Sequence, residues 1–177
     1  LPALQAAPVK SLDHAAPFFH GYIGTFVLYD ELANQYAVYN QPQSEKRLTP
    51  CSSFKIYNSL IALETGAAVD ETMVIAWNGQ PSSITAWNRD HTMASAIQNS
   101  VVWYYQALAE RIGPQRMQQN LDALPYGNRD ISGGIDRFWL HSTLTISARE
   151  QVELLSRLYQ DDLPFSSRNM AIVRKII

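Results

Sequence analysis

Apolar and polar positions alternate over two short stretches near the start of the chain. Residues 22–29 and 35–40 are rich in β-forming side chains, and the short link between them is polar at its ends. An alternation with period two indicates half-buried strands, and a short polar link is typical of a hairpin. We therefore predict an N-terminal β-hairpin over residues 21–40. Residues 1–20 contain three prolines and predict an irregular or partly helical lead-in.

After residue 49 the apolar spacing changes to that of helices. Residues 53–64 carry apolar side chains on several faces and are followed by Gly66, which predicts a buried helix with a glycine stop. Further helical patterns follow at 92–99, 101–112, 114–124, 147–159 and 167–177. This order predicts a single α+β domain over residues 1–177, with an antiparallel sheet and a mainly helical lobe at 49–165.

The last two predicted helices differ in how they are bounded. Ser147 and Glu150 form the sequence signature of a capping box, in which each side chain satisfies a backbone N–H of the other. The final helix reaches Ile177 on an apolar stripe, with neither a glycine stop nor a polar tail. We therefore expect the chain to be truncated.

Composition narrows the classes of partner and compartment. Hydrophobic residues make up 46% and charged residues 17%, and the net charge of −2 gives no electrostatic case for binding nucleic acid or an anionic membrane. No apolar run approaches the length of a membrane span. The single cysteine, Cys51, excludes an intrachain disulfide and is interpreted as a small buried side chain. His14 and His20 lack companion ligands, so we expect no metal site.

The first residues with candidate chemistry are Ser52 and Lys55, at the start of the predicted buried helix. A spacing of three places them on one helix face, and an amine that can lose its proton activates a neighbouring hydroxyl as a nucleophile. The N–H groups at a helix start also favour developing negative charge. The ordinary alternative is an N-capping serine followed by a surface lysine, and this pair alone favours that alternative.

Three further motifs follow Ser52-x-x-Lys55 in order: Ser100-Val101-Val102, Tyr126-Gly127-Asn128 and Phe138-Trp139-Leu140. Their order, spacing and flanking sequence resemble the class D, or oxacillinase-type, serine β-lactamases from about Gly24 to the end of the chain. The resemblance implies the fold shared by serine β-lactamases and penicillin-binding proteins. It also implies hydrolysis of β-lactam antibiotics through a serine acyl-enzyme.

Roles for three residues follow from this resemblance. Ser52 is expected to attack the β-lactam carbonyl, and Ser100 to pass a proton to the leaving nitrogen. Lys55 is expected to be carboxylated by carbon dioxide, so that its carbamate acts as the general base; no other cofactor is implied. The physical chemistry agrees, because carbon dioxide reacts with a neutral amine and burial lowers the pKa of a lysine. Ser100 also has an ordinary alternative as an N-cap.

The remaining motif residues are expected around this centre. The resemblance implies that Trp139 donates its indole N–H to the carbamate, and that Val102 and Leu140 form apolar walls. It implies a structural turn at Tyr126-Gly127-Asn128 beside the site. Each also has a purely structural interpretation, since a tryptophan or a branched aliphatic side chain is more often part of a core.

One motif of the resembled family is absent, because the sequence contains neither Lys-Thr-Gly nor Lys-Ser-Gly. The resemblance implies that this motif lies on a strand after the last helix. That strand is expected to supply part of the oxyanion hole and a contact to the substrate carboxylate, and the strands after it are expected to complete the sheet. We therefore expect the 177-residue chain alone to hydrolyse β-lactams poorly or not at all. A homodimer, a strand swap or a complementing fragment is a possible partner. The expected location is bacterial and exported, periplasmic or secreted after removal of a signal peptide.

The main alternative is a different class of protein on the same fold. A β-lactam-sensing, penicillin-binding receptor domain uses the same serine and lysine but stays acylated, so that it signals instead of turning over. A D,D-peptidase-like transpeptidase fits less well, because its second motif usually has asparagine where Val102 stands. The lifetime of the acyl-enzyme distinguishes hydrolase from receptor. Substrate spectrum and oligomeric state stay open at this point.

Overall fold

The α+β class expected from the sequence is confirmed. The computed structural model describes residues 7–177. Its strands are β1 (Val9–Ser11), β2 (Phe26–Asp30), β3 (Gln35–Tyr39), β4 (Val74–Ile75) and β5 (His91–Thr92). Its α-helices are α1 (Gln41–Glu45), α2 (Lys55–Glu64), α3 (Met93–Gln98), α4 (Val102–Ile112), α5 (Pro114–Ala123), α6 (Ala148–Tyr159) and α7 (Ser167–Ile176). Within residues 7–177, 3₁₀ helices cover Asp13–Phe19, Cys51–Phe54 and Thr85–Trp87.

The larger sheet has three strands in the order β1-β3-β2. Strands β2 and β3 form an antiparallel hairpin in which Phe26 lies opposite Tyr39. Strand β1 pairs with β3 in parallel, with Val9 opposite Tyr36. The expectation of an irregular or partly helical lead-in therefore missed β1, since a strand of three residues is too short to show an alternating pattern.

One face of this sheet packs against helix α6. Tyr36 and Val38 are fully or almost fully buried there, next to Val152 of the helix. The Arg149 guanidinium lies 3.5 Å from the centroid of the Tyr36 ring, a cation–π contact that fixes the start of α6 on the sheet. On the opposite face Phe26 remains half exposed. The alternation in the sequence thus separates a helix-covered face from an open one.

Helix α2 is the centre of the helical lobe. It packs against α4 and α7, and every one of its residues from Tyr57 to Leu63 is buried. This is why its apolar side chains point in several directions, since a helix surrounded by protein has no polar face. Lys55 is the one charged side chain in this buried group. Among residues 7–177, no helix combines the length and the apolarity needed to cross a membrane.

The local signals for helix starts are borne out at α6. The Ser147 hydroxyl accepts a hydrogen bond from the Glu150 N–H at 3.2 Å, and the Glu150 carboxylate accepts one from the Ser147 N–H at 2.9 Å. Between α4 and α5, Gly113 adopts a positive φ of 78° and Pro114 occupies the first helical position. These short connections hold the helices of the lobe in a fixed arrangement.

Candidate active site

The serine and lysine of the first motif lie in contact at the start of α2. The helix begins at Lys55, and Ser52 belongs to the preceding 3₁₀ turn, so Ser52 does not cap the α-helix itself. Side chains three residues apart eclipse in a 3₁₀ turn. The Lys55 Nζ consequently donates a hydrogen bond of 2.7 Å to the Ser52 Oγ. The ordinary interpretation of a surface lysine is wrong, because Lys55 is only 2% exposed.

Ser100 completes a triangle of polar atoms with this pair. Its hydroxyl accepts a hydrogen bond of 3.2 Å from the Lys55 Nζ and donates one of 3.0 Å to the Ser52 Oγ. The N-cap of α4 is Val101, not Ser100, and no side-chain cap is formed there. Ser100 instead adopts a left-handed backbone conformation, with φ of 51°. That conformation is strained for a residue with a Cβ, and such strain is commonly found at functional sites.

The surroundings of Lys55 favour its neutral form. Burial lowers the pKa of Lys55 to about 8 from its ordinary 10.5, while the Cys51 thiol opposes part of this shift. No carboxylate forms a salt bridge with Lys55 among the described residues. About a tenth of the amine is therefore neutral at pH 7, against less than a thousandth for an ordinary lysine. A neutral amine can take a proton from Ser52 through the same 2.7 Å contact.

The Phe138-Trp139-Leu140 motif lies against the 3₁₀ turn that carries Ser52. The Cys51 N–H donates to the Trp139 carbonyl at 2.9 Å, and the Cys51 thiol lies 3.2 Å from the Leu140 carbonyl. Trp139 is fully buried, and its indole Nε1 has no hydrogen-bond partner within residues 7–177. Leu140 and Val102 are half-buried, and Val102 opens α4 two residues after Ser100. A buried donor without an acceptor is costly, although Trp139 shares this property with the hydroxyls of Tyr57 and Tyr126.

The turn Tyr126-Gly127-Asn128 lies one layer behind this centre. The ring of Tyr126 packs edge-on against that of Phe54, the residue before Lys55, with 5.4 Å between centroids. The Asn128 side-chain amide donates to the Thr143 carbonyl at 2.8 Å, and its Oδ1 accepts from the Thr145 N–H at 2.9 Å. These two hydrogen bonds connect the turn to the chain after Trp139. The turn therefore supports the site, and its hydrogen bonds do not reach Ser52, Lys55 or Ser100.

The glycine of this turn is required by close backbone packing. Gly127 has a positive φ of 50°, and a Cβ at this position would lie 1.9 Å from the Thr145 carbonyl oxygen. No side chain fits such a gap.

Two features of the site differ from the expectations or were missed. Cys51 is exposed, not buried, and has a positive φ of 48° at the start of the 3₁₀ turn. Behind Lys55, the ring of Tyr105 lies 5.8 Å from the Nζ, and its hydroxyl is 2.9 Å from the Ser59 Oγ. The sequence contains one signal for this arrangement, because a spacing of four places Ser59 on the same face of α2 as Lys55.

Comparisons with known proteins agree with this geometry. Residues 24–177 match the profile of the penicillin binding protein transpeptidase domain. The probable β-lactamase YbxI of Bacillus subtilis (strain 168) is 49% identical over 154 residues, which are 87% of this chain and 58% of YbxI. The solved structure of the class D β-lactamase BAT-2 superposes with a TM-score of 0.90 at 44% identity, covering 92% of this chain and 68% of BAT-2. The chain belongs to the class D β-lactamase family.

A receptor domain shares the fold of this class D family member. The C-terminal domain of the Bacillus licheniformis BlaR penicillin-receptor has a TM-score of 0.92 and 32% identity, over 100% of this chain and 71% of the receptor domain. Its sequence identity is lower than that of YbxI and BAT-2. The class D chain spans somewhat more than half the length of YbxI, at 58%.

Proposed function

We propose that this protein hydrolyses β-lactam antibiotics through an acyl-enzyme on Ser52. The observation that carries the proposal is the triangle of Ser52, Lys55 and Ser100, in which a buried amine of lowered pKa contacts an exposed serine hydroxyl at 2.7 Å. A structural serine has no need of such a neighbour. Family membership points in the same direction, since YbxI and BAT-2 are described as β-lactamases.

In the proposed reaction Lys55 in its neutral form takes the proton of Ser52, and the Ser52 Oγ attacks the β-lactam carbonyl carbon. The C–N bond of the β-lactam ring then breaks. Ser100 donates its hydroxyl proton to the nitrogen and receives a proton from Lys55. Lys55 next takes a proton from a water molecule, which attacks the ester carbonyl. The ester bond to the Ser52 Oγ then breaks, Lys55 returns the proton to that oxygen, and the opened product leaves. The 3.0 Å and 3.2 Å contacts of Ser100 provide the path for these protons.

The proposal includes carboxylation of Lys55 by carbon dioxide. The residues present fit this group, because Lys55 is buried with a lowered pKa and the Trp139 indole N–H is a buried donor without an acceptor. When present, the carbamate would supply an anionic base at this position in place of the neutral amine. Trp139 is the donor we assign to it, while the half-buried Val102 and Leu140 limit access of water.

The test is covalent labelling of the purified chain by benzylpenicillin, followed by intact mass spectrometry. We expect one adduct on the parent chain and none on Ser52→Ala. The matched control is Ser53→Ala, because the Ser53 hydroxyl donates instead to the Pro50 carbonyl at 2.7 Å. An adduct that survives Ser52→Ala, or a parent chain that neither forms an adduct nor opens benzylpenicillin, contradicts the proposal.

A β-lactam receptor is the second candidate, and the match to BlaR over the full chain is the observation that favours it. A receptor keeps its acyl group, whereas a hydrolase releases it. The decay of the adduct after removal of free penicillin therefore separates the two functions. Loss within seconds to minutes supports the hydrolase. Persistence over hours fits the receptor, and it also fits the poor turnover expected of this chain without the Lys-Thr/Ser-Gly motif.

The proposed setting of the protein is bacterial and exported, periplasmic or secreted, with a β-lactam as its small-molecule ligand. A homodimer or a complementing fragment, expected from the missing Lys-Thr/Ser-Gly motif, stays a prediction. Light scattering of the chain alone tests it, and a strictly monomeric chain with full turnover contradicts it.

A further inference from the structure

Ser100 occupies a strained linker between two helices. Helix α3 ends at Gln98 and α4 begins at Val102, so only three residues connect them. Within this linker Ser100 has the positive φ of 51° that directs its hydroxyl to Lys55 and Ser52. A strained conformation of this kind persists only when the neighbouring structure holds it.

An indole N–H from a distant loop holds the peptide group next to Ser100. The Trp87 Nε1 donates a hydrogen bond of 2.9 Å to the Asn99 carbonyl, which belongs to the peptide joining Asn99 to Ser100. No other hydrogen bond to this carbonyl is found within residues 7–177. The φ of Ser100 is the rotation about the bond adjoining that peptide. A donor that fixes the peptide plane therefore restricts the direction of the Ser100 hydroxyl.

Trp87 is itself held from the other side of the linker. The Trp103 Nε1, on α4, donates a hydrogen bond of 2.9 Å to the Trp87 carbonyl. The Trp87 ring is partly buried against the core of the helical lobe. The loop, the linker and the start of α4 thus form a closed set of contacts around Ser100.

We propose that Trp87 is a positioning residue for the reaction, acting through the Asn99–Ser100 peptide on the Ser100 hydroxyl. This inference rests on the proposed acylation of Ser52. It assigns Trp87 its role through the indole N–H, separately from any contact of its ring with substrate. Removing this N–H leaves a carbonyl without its donor and lets the linker relax away from the strained conformation.

The test is the acylation rate of Trp87→Phe, which keeps an aromatic ring but lacks the N–H. We expect an about tenfold loss, the size produced by losing one hydrogen bond to a backbone carbonyl. The matched control is Trp77→Phe, because the Trp77 indole also donates to a carbonyl, that of Gln80 at 3.1 Å, but far along the loop from Ser100. The control is expected to acylate at the parent rate.

A double mutant separates positioning from substrate contact. If Trp87 acts only through Ser100, Trp87→Phe has no further effect on acylation in a Ser100→Ala background. An equal loss in both backgrounds overturns the inference. Replacement of Trp87 by 3-benzothienylalanine, which has sulfur in place of the N–H at nearly the same shape, guards against a variant that fails to fold. Full activity of that isostere also overturns the inference.

A structural measurement decides the question independently of acylation. In crystals of Trp87→Phe or the isostere, we expect the Ser100 Oγ to leave hydrogen-bond range of the Lys55 Nζ, now 3.2 Å away. An unchanged contact overturns the positioning role. If the parent chain neither forms an adduct nor opens benzylpenicillin, the proposed function fails, and this distance alone decides the role of Trp87.

Discussion

Lys55 is expected to be the one lysine of the chain that carbon dioxide carboxylates at near-neutral pH. With its pKa at about 8, about a quarter of the Lys55 amine is neutral at pH 7.5, against about one part in a thousand for a lysine of pKa 10.5. Only the neutral amine reacts, so Lys55 has an advantage of about 200-fold. Lys175 is an internal control, because its hydrogen bond and ion pair with Glu71 raise its pKa.

The assay is ¹³C nuclear magnetic resonance of the chain equilibrated with ¹³C-labelled bicarbonate. We expect one lysine carbamate resonance in the parent chain that is absent from Lys55→Met and unchanged in Lys175→Met. The N-terminal α-amino group, whose ordinary pKa is also about 8, gives a separate carbamate resonance common to all three chains. Trp139→Phe removes the donor assigned to the carbamate, and hydrogen bonds to charged groups contribute about 1.5–3 kcal/mol. Carbon dioxide should therefore bind that variant at least about tenfold more weakly.

Two results would refute this reasoning about Lys55. One is a titration midpoint near 10.5, measured at a ¹³C label on the lysine side chain, because the buried amine would then gain nothing over the others. The other is a lysine carbamate resonance that persists in Lys55→Met, which would place the reaction on another lysine. Unchanged occupancy in Trp139→Phe would remove the indole from its assigned role but leave the amine chemistry standing.

Three further predictions concern stability and are measured by urea unfolding. Gly127→Ala is expected to destabilise by about 2–4 kcal/mol, because its Cβ would overlap the Thr145 carbonyl at a positive φ; a fully stable variant contradicts the close packing. Ser147→Ala removes the N-cap of α6 and should cost about 1 kcal/mol, and an unchanged midpoint contradicts the capping geometry. In carbon dioxide-free buffer, the lowered pKa of Lys55 makes folding less favourable below pH 8, where the folded chain must keep a buried charge. This loss of stability disappears between about pH 8 and 10.5, because there the folded chain releases the Lys55 proton while the unfolded chain keeps it. The stability of Lys55→Met relative to the parent should therefore fall by about 3 kcal/mol over that range, and a difference in stability that does not change with pH contradicts the lowered pKa.

The sequence determined the elements whose signals are local. The buried character of α2 follows from apolar residues on several of its faces, and the start of α6 follows from the Ser147–Glu150 capping box. The class D motifs also identified residues that the fold brings together, since Ser52, Lys55 and Ser100 share direct hydrogen bonds. The predictions for α2 and α6 succeeded because hydrophobic period and capping chemistry act between residues close along the chain.

What only the tertiary structure decided depends on contacts between distant segments. Strand β1 exists because β3 offers it a parallel partner, and Cys51 faces outward because its N–H is bonded to the Trp139 carbonyl. The lowered pKa of Lys55 depends on burial by the surrounding lobe, which no tetrapeptide motif contains. Likewise, the sequence gives Ser100 a place between two helices, whereas its direction depends on a left-handed φ and a tryptophan from another loop. Local patterns specify which residues can react, while desolvation determines their pKa values and long-range hydrogen bonds determine the direction of their side chains.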